Sequence, residues 1–131
     1  MPVYRLTEAA ALLAVSDDTL RRWAEQGRIT TTTTPAGAAG IDGRELAVLA
    51  AGRAHIEGAA TGPTTTSARN RLRGIVIDVK RDTVMAQVEM CCGPYRVVSL
   101  MSREAADALD LQPGVVADAV VKATTVVVET P

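Results

Sequence analysis

Two spacings of apolar residues divide this chain. In the first part they recur at helical intervals. Thr7 is placed to cap a helix carrying Ala9, Ala10, Leu12 and Leu13, and Ser16 to cap a second with Asp17 and Asp18 in its first turn, the carboxylates suiting the positive end of the helix dipole. Leu20, Trp23 and Ala24 form the apolar stripe of that second helix, while Arg21 and Arg22 face elsewhere. Gly27 follows as the expected left-handed stop. Only Ala14-Val15 separates the two helices, a helix-turn-helix length of connection. Thr30 to Thr34 is a β-branched run that predicts a hairpin strand. A third helix is expected from Asp42, with Asp42-Gly43-Arg44-Glu45 as a capping box and Ile41 and Leu46 as its hydrophobic staple.

In the second part the pattern changes to alternation. Strands are predicted over Leu72–Lys80, Thr83–Met90, Tyr95–Met101, Val115–Lys122 and Thr124–Glu129. Cys91-Cys92-Gly93-Pro94 reads as a hairpin turn, Pro113-Gly114 as another, and Ser102 as the cap of a short helix ending near Leu109. Five short strands with one intervening helix predict an OB-like β-barrel. The stretch between the parts, small, polar and broken by Gly and Pro, reads as a linker. The expected fold is α+β: a first domain over 1–57, a linker over 58–66 and a second domain over 67–131.

Composition modifies this picture in one respect. Of the 131 residues 47% are hydrophobic but only 2% aromatic, with no Phe. Cores of Ala and Val bury little area per side chain, so two small domains built this way are expected to oligomerise. The formal net charge of −1 excludes a general polyanion coat while allowing a local basic patch. The first residues lack the charged-then-apolar order of a signal peptide, and no apolar run approaches the ~18 residues of a membrane span, so a cytoplasmic protein without a membrane partner is expected. His55 is the sole histidine, and Cys91 and Cys92 are adjacent without metal-ligand spacing, so neither a metal cation site nor a disulfide framework is expected. No nucleophile motif or phosphate-binding Gly loop is present, and the chain is not expected to be an enzyme.

The run from Tyr4-Arg5-Leu6-Thr7-Glu8-Ala9-Ala10 through Ser16-Asp17-Asp18-Thr19-Leu20-Arg21-Arg22-Trp23 to Ile29 resembles the MerR- and excisionase-type winged helix-turn-helix. The resemblance implies that the second helix enters a DNA major groove, with Ser16, Thr19, Arg21 and Arg22 as contacts and a β-hairpin wing on the flanking backbone. The wing departs from that family: Gly37-Ala38-Ala39-Gly40 stands where basic residues are usual. Residues 1–58 hold six basic and seven acidic groups, so one head alone is expected to hold DNA weakly. The same fold kept for protein contacts is the alternative.

Ser67-Ala68-Arg69-Asn70 with Leu72-Arg73-Gly74, then Met101-Ser102-Arg103-Glu104-Ala105, then Val121-Lys122-Ala123-Thr124 resemble the molybdate-binding Mop domain, also called molbindin or TOBE. The resemblance implies an oxyanion site made of Ser67, Ala68, Arg69, Asn70, Ser102, Ala105, Lys122 and Ala123, shared between subunits of a dimer or hexamer. It takes molybdate or tungstate as ligand and needs no catalytic cofactor. The chemistry is coherent in itself. A tetrahedral dianion only accepts hydrogen bonds, and this set offers two hydroxyls, two cations, backbone N–H groups and no carboxylate. Related domains often carry Ser where this chain has Ala105, which leaves the backbone N–H as the donor there. Two functions follow: a molybdate- or tungstate-responsive DNA-binding transcriptional regulator, or a molybdate storage protein whose helix-turn-helix mediates assembly.

Overall fold

The computed structural model describes residues 1–58 and 65–131, without the side chains of residues 54–58. The linker expected over 58–66 lies mostly outside the described residues. The chain divides into two compact units, Met1–Thr61 and Gly62–Pro131.

In the first unit β1 (Val3–Arg5) leads directly into α1 (Leu6–Leu13), followed by α2 (Asp17–Glu25), β2 (Thr32–Thr33), β3 (Ala39–Asp42) and α3 (Gly43–Gly58). The strands form a small antiparallel sheet in the order β1-β3-β2. Helix α1 starts one residue before Thr7, which therefore lies in the first turn and is not the cap. Arg5 holds the cap position because it pairs with Gly40 on β3, and its backbone N–H donates to Glu8 Oε2 at 3.0 Å. Ser16 does cap α2, accepting from the Thr19 N–H at 3.1 Å. Gly27, at φ +73°, ends it: the N–H groups of Gly27 and Arg28 return to the carbonyls of Ala24 and Trp23, a Schellman closure. At α3 only half of the expected capping box forms. Asp42 Oδ1 accepts from the Arg44 N–H at 2.8 Å, but Glu45 turns away to accept from the Thr30 N–H at 2.7 Å. The predicted Thr30–Thr34 strand shortens to Thr32–Thr33, and the hairpin tip is Pro35-Ala36, since Ala39 and Gly40 pair within the sheet. Ala9, Ala10, Leu13, Leu20, Ile29, Ile41 and Leu46 close the core, with the staple pair Ile41 and Leu46 inside it.

The second unit is an open, curled antiparallel sheet. Its strands are β4 (Asn70–Arg81), β5 (Met85–Cys92), β6 (Tyr95–Ser102) and β7 (Val116–Val121), in the order β6-β5-β4-β7. A register shift between Val76 and Asp78 bends β4, and α4 (Arg103–Ala108) follows β6. Gly74 is needed where β4 passes β5: a Cβ there would lie 2.3 Å from the Cys91 carbonyl oxygen. The cysteines are strand residues, and the hairpin loop is Gly93-Pro94 alone. Alternation sends Cys92 into the core and Cys91 to the other face. The core of Val76, Val88, Met90, Cys92 and Leu111 lines the concave side. The expected fifth strand is absent. After β7 the chain makes a 3-10 turn at Ala123–Thr125, where the Thr125 N–H and hydroxyl both donate to the Lys122 carbonyl, and the residues beyond leave the sheet. The barrel predicted from sequence is therefore a half-barrel in this chain.

Candidate oxyanion site and candidate nucleic-acid interface

The oxyanion candidates fall into two groups. The first gathers at one end of β4. Asn70 begins that strand and pairs with Val121, the last residue of β7, and its side-chain Nδ2 also donates to the Val121 carbonyl at 3.1 Å. This double attachment brings the Ser67–Asn70 segment alongside Lys122 and Ala123. Thr66, which the sequence reading did not single out, organises the segment. Its hydroxyl accepts from the Ala68 N–H at 3.2 Å and its carbonyl from the Arg69 guanidinium at 2.9 Å. Ser67, Arg69, Lys122 and Ala123 are exposed, and Ala68 and Asn70 half-buried.

The nearest acid on β7 is already balanced. Asp118 Oδ1 accepts from Arg73 Nε at 2.9 Å, and Arg71 approaches its other oxygen at 3.4 Å. The Arg73 hydrogen bond, aided by the Arg71 guanidinium, holds the Asp118 carboxyl below the usual carboxylate range. Asp118 is thus compensated by Arg73 and Arg71, and the bonds that Arg69 makes go to carbonyl oxygens.

The second group, Ser102 and Ala105, sits elsewhere. Ser102 pairs with Met85 at the far end of the sheet and caps α4, its Oγ accepting from the Ala105 N–H at 3.1 Å. The Ala105 N–H is therefore engaged in the cap, while the Ser102 hydroxyl keeps its own proton to donate. Strand β4 runs between the two groups, about 35 Å of strand path at ~3.3 Å per residue. One chain does not bring the eight candidates together.

On the first unit, Ser16 and Thr19 share a hydrogen bond between their hydroxyls at 2.8 Å at the start of α2. Arg21 and Arg22 are exposed farther along the same helix, and Arg21 lies 3.8 Å from Asp18. A shallow recess joins Arg21 to Arg5 and Thr7 and to Ala38 and Ala39 of the hairpin. Sequence reading missed Arg5, which lines the same recess as Arg21 only once the first unit has folded. It also missed Arg28, whose guanidinium stacks 4.7 Å above the Trp23 ring. No helix among the described residues is long and apolar enough to cross a membrane.

Residues 66–128 match the TOBE domain. Among solved structures, a molybdate binding protein from Sporomusa ovata is 33% identical, the match covering 51% of this chain and all of that one, with a TM-score of 0.49. MopII from Clostridium pasteurianum is also 33% identical, over 50% of this chain and all of its own, with a TM-score of 0.47. The cytoplasmic molybdate-binding protein ModG is 37% identical over 44% of this chain and 42% of its own, with a TM-score of 0.43. No curated protein matches the chain. Through its second unit, the chain belongs to the TOBE-domain family.

Proposed function

We propose that the protein is a molybdate- or tungstate-responsive DNA-binding regulator. Its second unit binds the oxyanion between copies of the chain, and its first unit acts as a winged helix-turn-helix head. The observation that carries the anion half is the attachment of Asn70 to Val121. It holds two cations, Arg69 and Lys122, on neighbouring chain segments with no carboxylate among the candidate residues. Such a donor-only set favours a fully deprotonated dianion over phosphate, whose remaining proton needs an acceptor. The match to relatives named for binding molybdate supports the same ligand. The separation of Ser102 from this group supports a site completed by a second copy.

The regulator half rests on the order of elements in the first unit, two helices in tight sequence followed by a hairpin, and on the exposed pair Arg21 and Arg22. The uncharged hairpin tip at Pro35-Ala36 and the Asp18 carboxylate near Arg21 favour the second reading, a molybdate storage protein whose head serves assembly.

Calorimetric titration with molybdate, tungstate and phosphate tests the anion site. Lys122→Ala removes a charge-assisted hydrogen bond worth about 1.5–3 kcal/mol, so affinity is expected to fall by roughly tenfold or more. Equal affinity in the two forms would overturn the site. Fluorescence anisotropy on DNA from upstream of the coding region, at low salt with and without molybdate, tests the head. Binding that is lost on replacing Arg21 and Arg22 by Ala supports the regulator. An absence of DNA binding in both states replaces it with the storage reading.

A further inference from the structure

Thr66 lies outside the candidate oxyanion set, yet it engages two of its members. Its hydroxyl oxygen accepts from the Ala68 N–H at 3.2 Å, and its carbonyl accepts from Arg69 Nη1 at 2.9 Å. The same guanidinium nitrogen lies 3.5 Å from the Ala68 carbonyl. Both donors are ones that an oxyanion needs, and both are given to oxygens of the chain itself. A backbone N–H has a single proton, so the Ala68 amide serves either Thr66 or an anion. The guanidinium has protons to spare, but its bond to the Thr66 carbonyl fixes where its planar fork lies.

The neighbouring candidates differ. The Lys122 ammonium and the Ser67 hydroxyl make no hydrogen bond or ion pair among the described residues. The empty site therefore has open donors at Ser67 and Lys122 and occupied ones at Ala68 and Arg69. A local bond from a hydroxyl to the N–H two residues on competes with every other use of that N–H. When the form that can bind is only a fraction of the population, apparent affinity falls by that fraction.

We infer that Thr66 is an internal competitor for the oxyanion. Its two oxygens hold the Ala68 N–H and the Arg69 guanidinium while the site is empty, and the anion takes these donors over as it binds. The competition presupposes the oxyanion site proposed above and names the residue that limits its affinity. Lys122 and Ser67, whose donors are open, make the first contacts; Ala68 and Arg69 follow once Thr66 releases them. Thr66 itself touches no anion. It is a positioning residue that acts through Ala68 and Arg69, and removing its hydroxyl strengthens binding. A brace that merely shaped the segment would have the opposite sign, because its loss would weaken binding.

Calorimetric titration of the full chain with molybdate compares the wild type with Thr66→Val, Thr66→Ser and Lys122→Ala. Thr66 is half-buried, and Val keeps its shape without the hydroxyl. Thr66→Val should tighten molybdate binding by about two- to tenfold, the factor that one net hydrogen bond is worth. Thr66→Ser keeps the hydroxyl and should bind as the wild type does. Amide hydrogen exchange gives a second readout: without molybdate, the Ala68 N–H should exchange faster in Thr66→Val than in the wild type. If Thr66→Val fails to fold, Thr66→Ala carries the same measurements. Unchanged or weaker binding in Thr66→Val, equal tightening in Thr66→Ser, or an Ala68 exchange rate indifferent to the hydroxyl would each overturn the competition. With Lys122→Ala still weakened, the oxyanion site would stand without it. A wild type that binds no molybdate, or binds it no better than Lys122→Ala does, would remove the site and the competition together.

Discussion

The two units solve the same compositional problem differently. Both draw their cores from small aliphatic residues. In the first, two helices, a three-stranded sheet and a third helix surround those residues, and Ala9, Leu20 and Ile41 are left with no exposure at all. In the second, a four-stranded sheet curls without closing. Of the seventeen large apolar side chains exposed among the described residues, fourteen belong to this unit. A helix buries its backbone hydrogen bonds within itself and needs only one covered face, whereas an open sheet leaves two edges and a concave surface to be covered by something else. The same composition thus gives one unit with a closed core and one with two open edges and most of the exposed apolar side chains.

Several variants sharpen or break that contrast. The largest effect is expected from Leu20→Ala. It empties the middle of a sealed core and should destabilise the first unit by about 2–5 kcal/mol, leaving the second unit's calorimetric transition in place. If both transitions move together, the two cores are not independent. Gly74→Ala is next. Its new methyl meets the Cys91 carbonyl and, at 2.7 Å, the Cys92 sulfur, so backbone must move. A loss of about 1–3 kcal/mol is expected in the second unit alone, read by urea denaturation. Ser16→Ala removes the cap of α2 and should cost about 1 kcal/mol in the first unit. An unchanged urea midpoint would mean the cap is not stabilising.

The smallest effect is electrostatic and belongs to the second unit. Asp118 is held low chiefly by its Arg73 hydrogen bond, Glu89 by its Arg96 hydrogen bond, and Asp82 by the backbone N–H groups of Met85 and Val84. Groups whose folded pKa is lowered stabilise the fold above their unfolded pKa, near 4, and lose that contribution as pH falls through the folded value. The second unit should therefore lose stability on acidification below about pH 4, and Asp118→Asn should make that loss shallower. Thermal melts between neutral and strongly acidic pH would measure it; identical acid profiles for the two proteins would remove Asp118 from the account.

Local signals in the sequence were legible where the cause was local. Ser16 and Ser102 cap the helices that follow them, and Gly27 ends its helix, because each effect depends on a few adjacent residues. The family of the second unit was likewise readable from the Ser-Ala-Arg-Asn segment and its companions, and residues 66–128 bear it out. Errors arose where a distant partner decided. Thr7 lost the cap position to Arg5 once β1 paired with β3, and Glu45 left its own helix to bond Thr30. Cys91 and Cys92, read as turn residues, extend β5 because Cys92 packs into the core and pairs with Tyr95.

By itself, then, the sequence determined the two periodicities, the helix caps and the chemical character of the oxyanion candidates, since these follow from residue type and short spacing. The tertiary structure alone decided which candidates meet. Asn70 and Lys122 become neighbours because antiparallel pairing joins positions more than fifty residues apart, while the same register keeps Ser102 at the other end of the sheet. It also decided the fate of the valine tail. A run of β-branched residues marks a strand equally well whether or not an edge is there to receive it, and in this chain the hydrogen-bonded turn at Lys122 carries the segment away from its own sheet.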